Sequence, residues 1–534
     1  MNKLLSHFLW IALLAGNIAP AFGQTELDAL RHSQYGLTGT ARAMGMGGAY
    51  SAVGADLTAA TVNPAGLGLF RSSTFTITPV FQMVNNQTSF LDYSGNSSTN
   101  KLSIGNWGVA FNNKNYYDNG RVMKEAEKGL ISYTFAIGSN QIENYTNEVN
   151  ATAYNEFSSI TQMWAERSQG IYPFNLPAES NQQLAFDLLL IDTVMNRDGL
   201  TYFANPGKME QTMQILESGR RNEWFVSLAG NFSDFVYIGG TIGIQSLRYS
   251  QTFNFNEADI NNLYQFYDPD PDNGFPLELP TNQMRFTETF STNGTGINGK
   301  LGVIIRPSDY LRIGVSAQTP TFFSLTDEFN STLVNSIDLD NGGTEEYTAT
   351  PSAPGRYTYN LKTPFRVTAG VMYMIQKNGL LSVDVEYTDI SSVSLGSGGS
   401  INDPNYYSFS AENNRIANLY KPTLNIRGGG EFRMDIFRFR VGAALFGTPL
   451  TDEAASYLDY QDLTTVKKIL SDRVMFTAGA GIRQPNFYLD VTLINQQQQN
   501  KINPYSFEST DLFAPSVINN RILNAIVMSA GFNF

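Results

Sequence analysis

Few side chains in this 534-residue sequence could carry out covalent chemistry. It contains two histidines, His7 and His32, and no cysteine. A histidine-activated nucleophile would have to use His32, because His7 lies in an apolar leader and His32 itself sits in an unpatterned stretch. One remaining histidine without thiolates cannot assemble a zinc centre. Neither an enzyme nor a resident metal or cofactor is expected. Asp268-Pro269-Asp270-Pro271-Asp272-Asn273-Gly274 comes nearest to a metal motif, since carboxylates at alternate positions before a glycine suit calcium. Its twelfth position is Leu279, its glycine falls one place late, and two prolines stiffen the backbone, so a solvated loop is the expectation. A larger set of charges, Arg366, Asp384, Glu386, Arg427, Glu431, Arg433, Arg438, Arg440, Arg483 and Asp490, falls on one face of neighbouring alternating segments. Buried charges need partners, so these predict a salt-bridge network bracing an interior. Arg366, Arg427, Arg438 and Arg440 are the candidates to meet a ligand's carboxylate head group.

The elements that position these charges are strands. From Arg473 to Arg483, Val474, Phe476, Ala478, Ala480 and Ile482 alternate with Met475, Thr477, Gly479 and Gly481. Fourteen such segments are expected between residues 73 and 534, of roughly the ten residues that a tilted strand needs to cross a bilayer. Short connections such as Ser233-Asp234, Met434-Asp435 and Gln484-Pro485 alternate with long ones at about 85–101, 140–221, 252–282, 326–356, 394–421, 447–472 and 497–521. That parity predicts an all-β transmembrane barrel with both termini on the short-turn, periplasmic side. Only the turn near 113–128 is long on that side. Residues 1–23 read as a cleaved signal peptide, 24–72 as a separate segment, and 73–534 as the barrel. A net charge of −13 argues against nucleic-acid binding. The expected site is the outer membrane of a Gram-negative bacterium, with lipid around a monomer.

Residues 41–70, ARAMGMGGAYSAVGADLTAATVNPAGLGLF, are dense in glycine and alanine and cannot build a core of their own. They read as a plug that threads another element's interior. Arg42, Met44, Gly45, Gly47 and Gly48, with Asn63, Pro64, Ala65 and Gly66, resemble the N-terminal hatch of the FadL/TodX-type outer-membrane transporters of hydrophobic compounds. The run from Gly299 to Gly314 and the strand start Thr363-Pro364-Phe365-Arg366 are also similar to that family. The resemblance implies a fourteen-stranded barrel with the hatch inside, a hydrophobic small-molecule ligand, fatty-acid-like or aromatic, and passive uptake gated by the hatch.

The long stretch at 140–221 carries two helical stripes, Phe157–Ile160–Trp164 and Leu184–Leu188–Ile191–Met195, which either pack on the barrel mouth or line a capture groove. Met372, Met374, Leu523 and Val527 are apolar at inward positions. With Phe157, Trp164 and Leu188 they are the candidate ligand-lining residues. Phe534, two residues beyond Phe532, resembles the terminal aromatic read by barrel-assembly machinery. Two other functions stay open from the sequence: a non-transporting scaffold or shuttle for a secretion machinery, and a general porin.

Overall fold

The computed structural model describes residues 25–36, 38–118, 123–196, 199–264, 279–338, 342–399, 406–451, 467–470, 472–509 and 512–534. The expected signal peptide and the aspartate-rich motif at 268–274 lie outside these residues. No described helix is long and apolar enough to cross a membrane.

Ahead of the first strand come three short helices, α1 (Glu26–Ser33), α2 (Ala41–Gly45) and α3 (Ala59–Val62), and a 3₁₀ turn at Pro64–Leu69. The ring follows: β1 (Thr74–Phe90), β2 (Tyr93–Lys114), β3 (Leu130–Asn144, resumed at Asn147–Asn155), β4 (Met209–Phe232), β5 (Val236–Ala258), β6 (Gln283–Ser308) and β7 (Leu311–Gln318, resumed at Phe322–Asp338). It continues with β8 (Gly355–Lys362, resumed at Arg366–Ile375), β9 (Gly379–Asp389, resumed at Ser394–Ser397), β10 (Pro422–Met434), β11 (Phe437–Phe446), β12 (Arg473–Arg483), β13 (Phe487–Asn503) and β14 (Val517–Asn533). Each pairs antiparallel with the next. β14 returns to β1, from Phe90 opposite Val517 to Thr74 opposite Asn533. Closure pairs both outer strands, so no row of backbone groups meets lipid unsatisfied.

Side-chain alternation has the expected sense. On β4, Trp224, Val226 and Leu228 are exposed outward, whereas Glu223, Phe225 and Ser227 are buried within. Turns at the end of the ring that carries the C-terminus are tight. Ser233 and Asp234 both take left-handed φ, 57° and 54°, as a primed hairpin turn requires. The longer turn at 113–128 carries its own two-stranded hairpin, Tyr116–Asp118 with Met123–Glu125.

The far side differs from expectation. The stretch 85–101 is not a loop: β1 and β2 stay paired up to a turn at Leu91-Asp92. β4, β5 and β6 run 24, 23 and 26 residues, well past the ~9–11 that cross a bilayer. Above the membrane neither face of these strands must be apolar, so alternation fades there while pairing continues. The expected loop at 140–221 is therefore partly wall. Its helix α4 (Ile160–Ser168) carries Ile160 and Trp164 of the first predicted stripe but starts after Phe157, with a capping box from Ser159 to Gln162. The second stripe breaks early. α5 (Asn181–Asp187) ends before Leu188, Leu189 takes a left-handed φ of 57°, and Met195 belongs to a hairpin of Asp192–Asn196 with Gly199–Phe203. Trp164, Leu184 and Leu188 pack with Phe253, Phe286 and Ile502 of the raised wall into an apolar core outside the membrane zone.

Candidate functional site

The residues from Thr25 to Phe70 are buried almost throughout. They bond to inward side chains around nearly the whole ring, which places them inside it. Their sequence explains the fit. Short helices and turns leave many backbone groups without internal partners, and small side chains let polar wall residues reach those groups.

At α2, Ser529 of β14 accepts from the Ala41 N–H at 2.8 Å, and Thr492 of β13 donates to the Ala41 carbonyl at 2.6 Å. Thr477 of β12 accepts from Gly47 N–H and donates to the Gly45 carbonyl, both at 3.1 Å. Gly47, at φ 67°, lies so close to the wall that a Cβ on Gly442 would collide with its backbone nitrogen. Asp384 of β9 accepts from the backbone N–H groups of Tyr50 and Ser51, each at 2.8 Å, and from the Ser51 hydroxyl at 2.7 Å. Asn63 donates to the Ser51 carbonyl at 2.7 Å, while its Oδ1 caps the 3₁₀ turn by accepting from Ala65 N–H at 3.2 Å. Pro64 fills the first position of that turn, where its missing N–H has no cost.

The predicted charge network exists, and it includes the hatch residue Arg42. Arg42 Nε donates to Glu431 Oε2 at 2.9 Å, and Arg440 Nε reaches the same oxygen at 2.9 Å. Arg433 takes Glu431 Oε1 at 3.0 Å, and Arg440 also binds Asp490 at 2.7 Å. Higher in the lumen, Glu386 binds Arg366 at 3.1 Å and Arg427 at 2.9 Å. Of the four head-group candidates, Arg366, Arg427 and Arg440 are thus already ion-paired. Arg438 turns away to the carbonyls of Asp435 and Phe437 at the short-turn rim of the ring.

Above α2 the N-terminal segment crosses the lumen at Tyr35. The Arg366 guanidinium lies 3.7 Å from the centre of its ring and that of Arg221 4.9 Å, and Gln318 donates to its hydroxyl at 2.7 Å. Arg221 also donates to the carbonyls of His32 and Gln34. α1 then stands in the upper lumen, with a capping box from Thr25 to Asp28. His32 is buried there beside Tyr145 and Tyr249. Burial, with the charges of Arg31 and Arg221 nearby, holds its imidazole well below the usual range.

Cavities flank this crossing. An inner one of about 130 Å³ has Met44, Gly47 and Gly48 on its floor and Arg366, Arg427 and Phe446 on its walls. An outer one of about 140 Å³ lies between α1 and the strands β3, β4, β13 and β14. A smaller one of about 20 Å³ adjoins Gly36, Glu143 and Leu523. Arg473 borders all three. Each large cavity is roomy enough for more than one water, which needs at least ~10–15 Å³.

Among the candidate lining residues only Leu523 borders one of these cavities. Met372 packs with Met46, Tyr50 and Val53, with Met374 partly buried against them. Leu523 and Val527 also pack with Met44 in a second seat of the hatch. Trp164 and Leu188 belong to the outer core, and Phe157 is 62% exposed on the surface, edge-on to Phe513. Sequence reasoning passed over Tyr35, Arg221 and Arg473. An isolated aromatic in an unpatterned stretch, an arginine in the middle of a long strand and another at a strand start gave too weak a signal.

No protein-family model matches the chain, and no curated protein matches it in sequence. Solved structures do. A FadL homologue of Pseudomonas aeruginosa superposes with a TM-score of 0.54 over 94% of this chain and 99% of its own, at 14% identity. This barrel has the FadL-type fold. The P. putida toluene transporter TodX (TM-score 0.48, 11% identity) and the Ralstonia pickettii toluene transporter TbuX (0.43, 15%) cover the same 94% of this chain and 99% of their own. At these identities the likeness concerns architecture, and the residues of this FadL-type barrel are read from its own geometry.

Proposed function

We propose that this barrel sits in a Gram-negative outer membrane and passes small hydrophobic or amphipathic molecules across it without an energy source. The observation that carries the reading is a closed ring whose lower lumen is filled by a seated small-residue segment, with ligand-sized cavities directly above it. An open porin needs a continuous polar lumen, and here Arg42 and Ser51 tie the hatch to Glu431 and Asp384 of the wall across that path. A ligand would gain by burial at each step, at roughly 25 cal/mol per Å² of apolar area. In this proposal the hatch residues 41–70 act as the gate, and Asn63-Pro64-Ala65-Gly66 forms one of its hinges.

The test is reconstitution into liposomes with labelled dodecanoate and labelled toluene, alongside planar-bilayer recording. Uptake of either compound with no steady ion current is expected. Steady porin-like conductance, or no uptake of either compound, refutes the proposal. A sealed, charge-braced lumen also suits a scaffold for a secretion machinery. That reading gains if the purified barrel takes up nothing but copurifies with a secretion partner.

A further inference from the structure

One pair of charges on the outer surface of the ring has no counter-charge. Arg220 of β4 and Arg248 of β5 stand directly opposite each other in the ladder, both outward and exposed. The adjacent Arg221 instead turns inward to the carbonyls of His32 and Gln34. Like charges directly opposite on one face of a sheet are destabilising unless something of opposite sign lies between them. Among the described residues neither guanidinium makes an ion pair. The outward positions above and below, Ser218, Asn222, Ser246 and Ser250, supply hydroxyls and an amide but no carboxylate. Arg356, further round the same surface, does have a partner in Glu328 at 3.5 Å. A chain of net charge −13 thus leaves two cations side by side with none of its carboxylates between them.

Their height on the ring suits a lipid headgroup. Trp224 and Ile244, opposite each other and exposed, end the apolar band on β4 and β5; Asn222 and Ser246 follow, and the arginines come next. Four residues at ~3.4 Å each, on strands tilted by ~35–45°, put them roughly 10 Å beyond that edge, and long arginine side chains reach back into the headgroup layer. Paired guanidinium groups match phosphate oxygens, and a terminal phosphate monoester, with about two negative charges, balances both where a phosphodiester balances one. We infer that Arg220 and Arg248 bind the terminal phosphate of an outer-leaflet lipid whose chains lie over Trp224 and Ile244. The inference rests on the outer-membrane placement proposed above and is independent of uptake.

Quenching of tryptophan fluorescence by lipids with brominated chains tests it on the full chain in phosphatidylcholine vesicles. Trp164 is buried in the outer core, whereas Trp107 and Trp224 face outward with ring centres 5.4 Å apart. A Trp107→Phe background therefore makes Trp224 the outward reporter. Brominated phosphatidic acid, which ends in a phosphate monoester, is compared with brominated phosphatidylglycerol, a phosphodiester, and with brominated phosphatidylcholine. Phosphatidic acid should outcompete phosphatidylcholine at Trp224 by on the order of tenfold, the scale of two arginines at a membrane surface, and phosphatidylglycerol should do so by less. Arg220→Gln/Arg248→Gln removes the advantage, whereas Arg356→Gln keeps it. Heat-modified mobility in gels verifies that each barrel is folded; if the double variant fails this check, the single Arg248→Gln variant takes its place. Equal affinity of the wild type for phosphatidic acid and phosphatidylcholine, a preference that survives in the variant, or phosphatidylglycerol matching phosphatidic acid overturns the phosphate assignment and leaves the membrane placement standing. Quenching of Trp224 by none of the three lipids overturns the placement and the inference together.

Discussion

Replacing Glu431 by Gln should release the hatch more effectively than removing the hatch's own charge. The Arg42 side chain is 6% exposed and that of Arg440 0%, and both donate to Glu431 Oε2. Among the described residues Glu431 is the only carboxylate paired with Arg42, whereas Arg440 retains Asp490. Glu431→Gln therefore strands one buried guanidinium. Breaking a buried pair in this way costs about 3–5 kcal/mol, because the remaining charge is left uncompensated. If that cost falls on the seated state, the unseated population rises by roughly a hundred- to several-thousandfold. Arg42→Met acts differently. It removes the charge along with its bonds and leaves Glu431 held by Arg440 and Arg433, so the loss is limited to about 1.5–3 kcal/mol. Hydrogen exchange measured by mass spectrometry on peptides from 41–50, with β4 and β5 peptides as reference, should show wild type, Arg42→Met and Glu431→Gln in rising order. Exchange in Glu431→Gln within twofold of wild type, or a larger effect from Arg42→Met, would refute the argument that this carboxylate holds the hatch.

Gly442→Val places a branched side chain against Met46 and Gly47, and should expel α2 while leaving the ring closed. Planar bilayers then show new conductance with gel mobility unchanged. His32 supplies a pH dependence: its imidazole titrates lower in the folded than in the unfolded chain, so the unfolded chain binds the extra proton. The stability it contributes is present above the unfolded value of about 6.5 and is lost as pH falls below it. Exchange of peptides from 26–36 should accelerate between pH 7.5 and 5.5, and His32→Phe should remove that acceleration. Trp164→Ala empties a fully buried position of the outer core and should cost about 3–5 kcal/mol there. Proteolysis should rise at α4 and α5 and remain unchanged in the membrane strands.

Much of the barrel was legible because lipid enforces a period of two. Wherever a strand crosses the membrane, positions such as Val226 and Leu228 must be apolar and Ser227 need not be. Above the bilayer that constraint ends, so the polar stretch at 93–101 read as a loop although it is paired. The hatch was legible by composition, and its charge partners by the rows of arginine and carboxylate at 366–490. The cavity lining was not. Apolar inward residues such as Met372 and Val527 looked suited to a ligand, yet the hatch's own apolar residues, Met46 and Met44, cover them. Pairing across the lumen is non-local, and alternation says which way a side chain faces without saying what meets it. For the same reason the sequence did not say that Arg366 and Arg427 share one carboxylate, Glu386.

The polarity of the hatch seat follows from its shortness. A five-residue helix such as α2 satisfies few of its own backbone groups, and in a lumen without bulk water each unmet group is costly. Leucine-sized wall residues would leave those groups unpaired; Thr477, Thr492, Ser529 and Asp384 instead satisfy them. The small hatch residues and the polar wall are therefore two halves of one requirement. The requirement also makes the hatch separable. Wall hydroxyls and carboxylates exposed by its loss can be hydrated, and the strand pairing that closes the ring involves none of the hatch's bonds. Deleting residues 41–70 should leave a folded, heat-modifiable barrel that conducts ions steadily. If the deleted chain fails to form the ring, the hatch is part of the folding core, and its role as a movable gate is untenable.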